Sequence, residues 1–175
     1  MDNLYLNPYF GLIFALPDGW RFTTDAQLCE KNGVTGSLSG VDLKPYLGDG
    51  SEFLTIMEAS DDAGRVLVSL AKMSRATKGM GIDNYMPIAK DNMRVIYDKA
   101  NNGIELLRCE IVDVTLSGIP TKALLYELGY TAYGISNHYV EAYLPAGDYM
   151  LTVISTAFSE EDALGYLAYF NYPTV

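Results

Sequence analysis

The sequence predicts an α+β protein in which helices cover a central antiparallel sheet of about six or seven strands. Two observations lead to this prediction. Short segments of alternating apolar and polar residues follow one another across tight turns, which is typical of antiparallel hairpins. Other stretches carry apolar residues at helical spacing, and such helices must bury their apolar stripe on the sheet. No repeat or linker interrupts the pattern, so we expect a single domain over residues 1–175.

The amino-terminal part of the chain predicts short strands around one helix. Pro17-Asp18-Gly19 is a turn, because proline sets φ and glycine accepts a positive φ. Thr24 and Gln27 have the spacing of a capping box, and Gly33 follows as a helix stop. Residues 60–64 join two strand-like segments as a hairpin. The elements predicted here are strands at Gly11–Leu16, Trp20–Phe22, Phe53–Ala59 and Arg65–Met73, and a helix from Thr24 to Asn32.

The rest of the chain predicts a long helix, four consecutive strands and a closing helix. Ile82–Lys99 has apolar residues at helical spacing, with Asp83 as the expected cap and Pro87 near the first turn. In the strand that follows, the apolar phase reverses, which predicts a β-bulge near Ile111–Val112. The predicted strands are Ile104–Leu116, Thr121–Tyr130, Tyr133–Leu144 and Asp148–Ala157, and the closing helix, capped by Ser159, runs to about Phe170.

The composition narrows the class of function. Apolar residues make up 49% of the 175 residues and charged residues 19%, as in folded proteins. The chain has 12 lysines and arginines and 22 aspartates and glutamates, which gives a net charge of −10. Proteins bind nucleic acids and anionic membranes through clustered basic residues, so this charge argues against both as main partners. No apolar stretch has the length of a transmembrane helix.

The amino terminus and the cysteines leave the compartment open. Met1–Leu4 has neither the basic nor the apolar stretch of a signal peptide. We therefore expect either a cytoplasmic protein or one from which a signal segment has been removed. Cys29 falls in a predicted helix and Cys109 in a predicted strand. Two buried free thiols are the simpler interpretation, and a disulfide between them is the alternative.

Motifs for catalysis and cofactor binding are weak. His138 is the only histidine, so a hydrolase would have to pair it with a serine or a cysteine. Gly79–Asn84 contains two glycines of a dinucleotide fingerprint but not the third, and we interpret it as a plain loop. The acidic segments Asp61–Asp62 and Asp49–Glu52 do not match a calcium loop. The sequence therefore predicts no catalytic residue, no metal site and no cofactor.

Tyrosine is the most suggestive feature of the composition. The chain has 14 tyrosines against 6 phenylalanines. Tyrosine combines a flat apolar ring with a hydroxyl group and is enriched at binding interfaces. Cross-strand packing on a half-buried sheet face would explain the same pattern. The predicted binding residues are Tyr126, Tyr130, Tyr133, Tyr139, Tyr143 and Tyr149, with the Gly33–Ser51 loop at the rim of their surface.

One segment resembles a known family. Tyr5–Phe22 reads YLNPYFGLIFALPDGWRF. This is similar to the opening of PsbP/Mog1-like domains, which reads roughly N-x-Y-F-G-(I/L)-x-F-x-L-P-x-G-W and is followed by a helix. The strand at Tyr149–Thr156 and the helix start at Ser159–Asp162 resemble the close of those domains. The similarity is strongest to uncharacterised proteins of gut-type Firmicutes, many of them lipoproteins, although this sequence has no lipobox cysteine.

The resemblance implies an α/β/α sandwich with a central antiparallel sheet and an extracytoplasmic location. Members of that fold mostly bind or assemble other molecules and share no catalytic motif. We therefore expect a non-enzymatic module that binds a protein or a cell-envelope component through its tyrosine-rich sheet face. Two alternatives remain. One is a small hydrolase built on His138, and the other is a cytoplasmic adaptor or immunity-type protein whose negative charge meets a basic partner.

Overall fold

The computed structural model describes residues 3–7, 11–38, 53–99 and 102–171. Within these residues, strands and helices follow one another largely as the sequence predicts. In chain order the elements are β1 (Leu4–Asn7), β2 (Leu12–Ala15), β3 (Arg21–Phe22), α1 (Asp25–Asn32), β4 (Phe53–Ser60), β5 (Gly64–Lys72), α2 (Ile82–Lys99), β6 (Ile104–Leu116), β7 (Ile119–Tyr130), β8 (Ile135–Ala146), β9 (Tyr149–Ala157), α3 (Glu160–Gly165), a 3-10 turn (Tyr166–Tyr169) and β10 (Phe170–Asn171).

Two antiparallel sheets organise the described residues. The larger has seven strands in the order β3-β4-β5-β9-β8-β7-β6, and the smaller has three in the order β1-β2-β10. The seven-stranded sheet confirms the predicted α+β class and the predicted number of strands. Strands β6 to β9 pair successively as hairpins, and β9 also pairs with β5. The pairing of β5 with β9 therefore joins the two halves of the chain into one sheet.

One face of the large sheet is covered by α1, α3 and the small sheet. Val153 of β9 is fully buried there and belongs to a core that includes Leu28 of α1, Leu167 of the 3-10 turn and Phe14 of β2. The capping box predicted for α1 is confirmed, since the Thr24 hydroxyl accepts from the Gln27 backbone N–H and the Thr24 backbone N–H donates to the Gln27 side chain. We call the apolar cluster that contains Val153, Leu28 and Phe14 the first core.

The opposite face of the large sheet is covered by α2. Met86 and Ala89 of α2 pack on Leu124 of β7 and Tyr143 of β8, and this second core is separate from the first. The sheet therefore lies between two layers that contain helices, which is the arrangement that the resemblance implied. Helix α2 packs mainly on β6, β7 and β8. No helix among the described residues packs mainly on the same face over β4 and β5.

Helix α2 has the predicted bounds, but its cap was predicted wrongly. The helix begins at Ile82, and the backbone N–H of Tyr85 donates to the carbonyl of Gly81. Asp83 therefore lies inside the first turn, where its charge is favourable to the helix dipole, and not at the cap. Pro87 lies within the helix, one residue beyond Met86, which is fully buried.

The β-bulge in β6 occurs earlier than predicted. The register between β6 and β7 shifts between Leu106 and Arg108, so Leu107 is the extra residue. Gly129 on β7 leaves room for it, because a Cβ on Gly129 would lie 3.1 Å from the Leu107 side chain. The phase reversal at Ile111–Val112 has another cause. Ile111 packs in the second core and Val112 against the first, so the strand is covered on both faces there.

The carboxyl-terminal segment is divided more finely than predicted. Ser159 caps α3 as predicted, because its hydroxyl accepts from the backbone N–H of Asp162 at 3.1 Å. The helix does not continue to Phe170, however. Phe170 pairs with Phe14 of β2, and the two ring centroids are 4.9 Å apart. This pairing ends the helical segment and forms β10, a strand that was not predicted from the sequence.

The two cysteines lie on opposite faces of the large sheet as free thiols. Cys29 is buried in the first core, and its thiol donates to the carbonyl of Gly36. Cys109 is half-buried beside the second core. The simpler of the two interpretations, free thiols, is therefore confirmed for the pair. Among the described helices, none is both long enough and apolar enough to span a membrane.

Candidate functional site

The six tyrosines of the predicted binding surface lie in three different places. Those on β7 and β8 share the face covered by α2, where two of them are buried and two are half-buried. Tyr149 of β9 is buried in the first core, on the opposite face. Tyr133 is 77% exposed in the turn between β7 and β8. The four that share one face are Tyr126, Tyr130, Tyr139 and Tyr143.

Stacking and hydroxyl contacts connect these four rings. Tyr126 and Tyr139 are cross-strand partners whose rings stack with centroids 4.9 Å apart and planes within 3°. The hydroxyl of Tyr139 lies 2.5 Å from that of Tyr130. Burial, and then the bond to Tyr130, raises the pKa of Tyr139 far above its usual value. Tyr139 therefore stays neutral and acts as a packed hydrogen-bonding group.

Glu141 lies among these tyrosines and is a site residue that was not predicted from the sequence. The hydroxyl of Tyr143 donates to one carboxylate oxygen at 2.7 Å, and the hydroxyl of Tyr126 lies 3.4 Å from the other. Burial raises the pKa of Glu141, and the two tyrosine bonds oppose that shift. The available signal was the strand alternation, because Glu141 is the one charged residue between Tyr139 and Tyr143 on their face.

A cleft opens beside α2, on the part of the sheet face that no described helix covers. Its volume is about 360 Å³, and Glu141 is part of its wall. Tyr85 of α2 meets Tyr143 edge to face at the cleft, with centroids 5.3 Å apart. The residues that line it are Phe53, Ala71, Lys72, Met73, Ser74, Thr77, Tyr85, Ala89, Asn92, Met93, Ile96, Glu141, Tyr143, Met150 and Thr152.

A second hollow of about 280 Å³ adjoins this cleft over β4, β5 and β9. The two hollows share Phe53, Glu141 and Thr152 in their walls. They therefore form neighbouring parts of one groove, which we call the sheet groove, with Glu141 between them. Phe53 is 71% exposed and Ile96 58% exposed, so the rim of the groove is apolar.

The cations beside the second hollow are already paired. Lys31 and Arg65 both contact the Glu58 carboxylate, at 2.6 and 3.2 Å, and the Glu58 side chain is only 11% exposed. Glu141 makes no ion pair within the described part of the chain. The groove therefore contains a carboxylate whose hydrogen-bond donors are the neutral tyrosine hydroxyls.

His138 lies on the other face of the sheet, away from the groove. Its cross-strand partner is Glu127, which accepts a hydrogen bond from the Ser136 hydroxyl at 2.7 Å. Within the described residues, Nδ1 of His138 is buried and has no hydrogen-bond partner. Cys109 lies on the opposite face. The structure therefore offers no serine or cysteine bonded to that nitrogen among the residues it describes.

The acidic segments also lie away from the groove or outside the described residues. Asp61 closes the β4–β5 hairpin, since its carboxylate accepts from the backbone N–H groups of Ala63 and Gly64 at 2.8 and 2.7 Å. Asp49–Glu52 and most of the predicted rim loop lie outside the described residues. Where the structure describes the chain, no three His, Cys, Asp or Glu side chains are grouped so that they could hold a metal ion.

Comparisons by sequence and by structure give different results. No known family and no curated protein matches the chain by sequence. By structure, it is similar to cyanobacterial PsbP (CyanoP) from Synechocystis sp. PCC 6803, with a TM-score of 0.55 and 12% identity over 98% of this chain and 94% of that one. A Pseudomonas aeruginosa protein of unknown function aligns with a TM-score of 0.34 and 14% identity, over 63% of this chain and 70% of that one. The chain therefore has a PsbP-like fold, as the resemblance of its opening segment implied.

Proposed function

We propose that the protein is a non-enzymatic binding or assembly module that holds a segment of another protein in the sheet groove. The observation that carries this proposal is the cleft beside α2. It is walled by aromatic and methionine side chains and opens on a sheet face that no described helix covers. A concave, mostly apolar site with a few polar groups is the usual form of a binding site.

The side chains of the groove suit a protein segment. Met73, Met93 and Met150 line the cleft, and methionine adapts its shape to different apolar partners. Phe53 and Ile96 add exposed apolar area at the rim. Tyr85 and Tyr143 supply rings with hydroxyl groups, which are favoured in interfaces. This narrows the predicted tyrosine-rich surface to the part of it that borders the groove.

The fold likeness and the sequence resemblance support binding over catalysis. The PsbP-like fold is shared with CyanoP at 12% identity, so it carries no partner over to this chain. An extracytoplasmic location and a partner in the cell envelope remain predictions from the resemblance of Tyr5–Phe22. No contact of His138 in the described residues favours the hydrolase alternative.

A groove-filling substitution tests the proposal. Random linear peptides displayed on phage would be selected on the immobilised full chain, and their affinities then measured on two variants. Asn92→Trp places an indole at the mouth of the cleft, where Asn92 is exposed and lines the wall. Val95→Trp adds the same ring three residues further along α2, at an exposed position outside the cleft lining. We expect affinity to fall about tenfold or more in Asn92→Trp, which is about 1.4 kcal/mol, and to persist in Val95→Trp.

Three results would contradict the proposal. Selection that enriches no peptide would mean that the groove has no affinity for protein segments. Peptides that bind Asn92→Trp and the unaltered protein equally would place the binding surface elsewhere. Self-association that disappears in Asn92→Trp, measured by sedimentation, would make a second copy of the chain the occupant of the groove.

A further inference from the structure

The carboxylate of Glu141 has acceptor capacity that the described residues leave unused. An ionised carboxylate offers about four lone-pair sites, and the contacts described for Glu141 are those with the hydroxyls of Tyr143 and Tyr126. Glu141 lines both hollows of the sheet groove, so a ligand in the groove would contact it. A half-buried carboxylate without a cation is unfavourable, and a cation from a bound ligand would remove that cost.

The surroundings of Glu141 favour a cation from outside the chain. Lys31 and Arg65, which line the second hollow, are both engaged by Glu58. Lys72 lies in the wall of the cleft but makes no ion pair with Glu141 among the described residues. The ring of Tyr85 packs against Tyr143, whose hydroxyl donates to Glu141, and aromatic rings attract cations near their faces. The net charge of −10 attracts positively charged partners over a longer range.

We propose that the sheet groove recognises a lysine or arginine side chain flanked by apolar residues, with Glu141 as the ion-pair anchor. This inference rests on the proposed function, and it names the chemistry of the partner segment. The apolar neighbours of the basic residue lie against the methionines and Phe53, and its charged end reaches Glu141 at the junction of the two hollows. The cytoplasmic adaptor alternative, which also requires a basic partner, is compatible with this anchor.

The experiment compares a basic peptide with its neutral analogue. The peptides selected on the full chain are sequenced, and the tightest one that contains arginine is synthesised with arginine and with citrulline, which has nearly the same shape but no charge. We expect the arginine peptide to bind the unaltered protein at least about tenfold more tightly. In Glu141→Gln this preference is expected to disappear. Glu105→Gln, which removes the same charge at an exposed position of β6, is expected to keep it.

The outcomes separate this inference from the proposed function. If groove-dependent peptides carry no basic residue, or if arginine and citrulline peptides bind equally, the anchor is wrong and the binding function stands. If Glu141→Gln keeps the arginine preference, the cation lies elsewhere and the anchor is again wrong. If no peptide depends on the groove, both fail. The arginine–citrulline comparison uses the unaltered protein, so equal binding of the two peptides would overturn the anchor even where Glu141→Gln folds poorly.

Discussion

At the scale of single residues, Glu141 combines two opposing demands. It lies on the tyrosine-bearing face of β8, where burial disfavours its charge, and it is held there by hydroxyl donors on Tyr126 and Tyr143. Replacing the carboxylate by an amide keeps the shape and one acceptor oxygen but removes the charge. The charge of Glu141 therefore costs stability in the folded protein, and this cost is measurable from the pH dependence of the unfolding free energy.

The stability of Glu141→Gln relative to the unaltered protein is expected to increase with pH. Burial raises the pKa of Glu141 above its ordinary 4.5 in the folded state. A raised pKa contributes stability that is fully present below the ordinary value and is lost as pH rises through the folded value. The amide has no such loss. Urea unfolding at several pH values from about 4 to 7.5 measures the difference in unfolding free energy.

The tyrosines around Glu141 do not contribute to this pH dependence of stability. Burial raises the pKa of Tyr85 from α2, Tyr126 from β7 and Tyr143 from the same strand, so all three stay neutral over this pH range. Glu105→Gln controls for the loss of one negative charge. A stability difference that stays constant with pH, or that favours the unaltered protein as pH rises, would show that burial does not disfavour the Glu141 charge.

At the scale of elements, prediction succeeded where structure depends on near neighbours in the chain. Helix α2 has the predicted bounds because its apolar stripe repeats within a few residues, and α1 has the predicted capping box because Thr24 and Gln27 are three residues apart. β10 was missed because it has two residues and exists only through pairing with distant β2. The bulge was misplaced because a reversal of apolar phase also arises when a strand is covered on both faces.

The carboxyl-terminal segment packs closely on β5 because residue 64 is a glycine, which has no side chain. A Cβ on Gly64 would lie 2.5 Å from the ring of Tyr166, and that ring also meets Trp20 edge to face with centroids 4.7 Å apart. Gly64→Ala is therefore expected to destabilise the protein by about 2 kcal/mol. Gly165→Ala is the matched change, because Gly165 has helical angles and open space around it, and it is expected to stabilise by up to about 1 kcal/mol.

Urea unfolding of the two variants measures both effects. In a Tyr166→Leu background, Gly64→Ala is expected to be far less costly, because the ring that it would meet is gone. Equal effects of the two alanine substitutions, or a cost for Gly64→Ala that survives Tyr166→Leu, would mean that the ring does not lie against Gly64.

At the scale of the whole molecule, the site arises because the described elements cover the two faces of the large sheet to different extents. The sequence correctly predicted the antiparallel sheet, and its alternation correctly indicates that Tyr139 and Tyr143 share a face. It could not predict that α2 packs on β6 to β8 and that no described helix covers the face over β4 and β5, since this depends on packing between distant segments. The burial of Tyr143 and the groove beside it follow from that placement.

The two cores are expected to unfold together, since β6, β7, β8 and β9 contribute residues to both. Trp20, the only tryptophan, is 7% exposed in the first core and reports on it by fluorescence.

Tyr143→Ala removes a ring that is 5% exposed in the second core, so it is expected to cost about 3 kcal/mol and to lower the melting temperature by about 10 °C. If the chain is one cooperative unit, the Trp20 transition moves down with the circular-dichroism transition. Tyr133→Ala, at an exposed turn, is expected to move neither. A Trp20 transition that stays in place while ellipticity is lost earlier would mean that the α2 side unfolds by itself, and that the groove lies on a separately stable part of the fold.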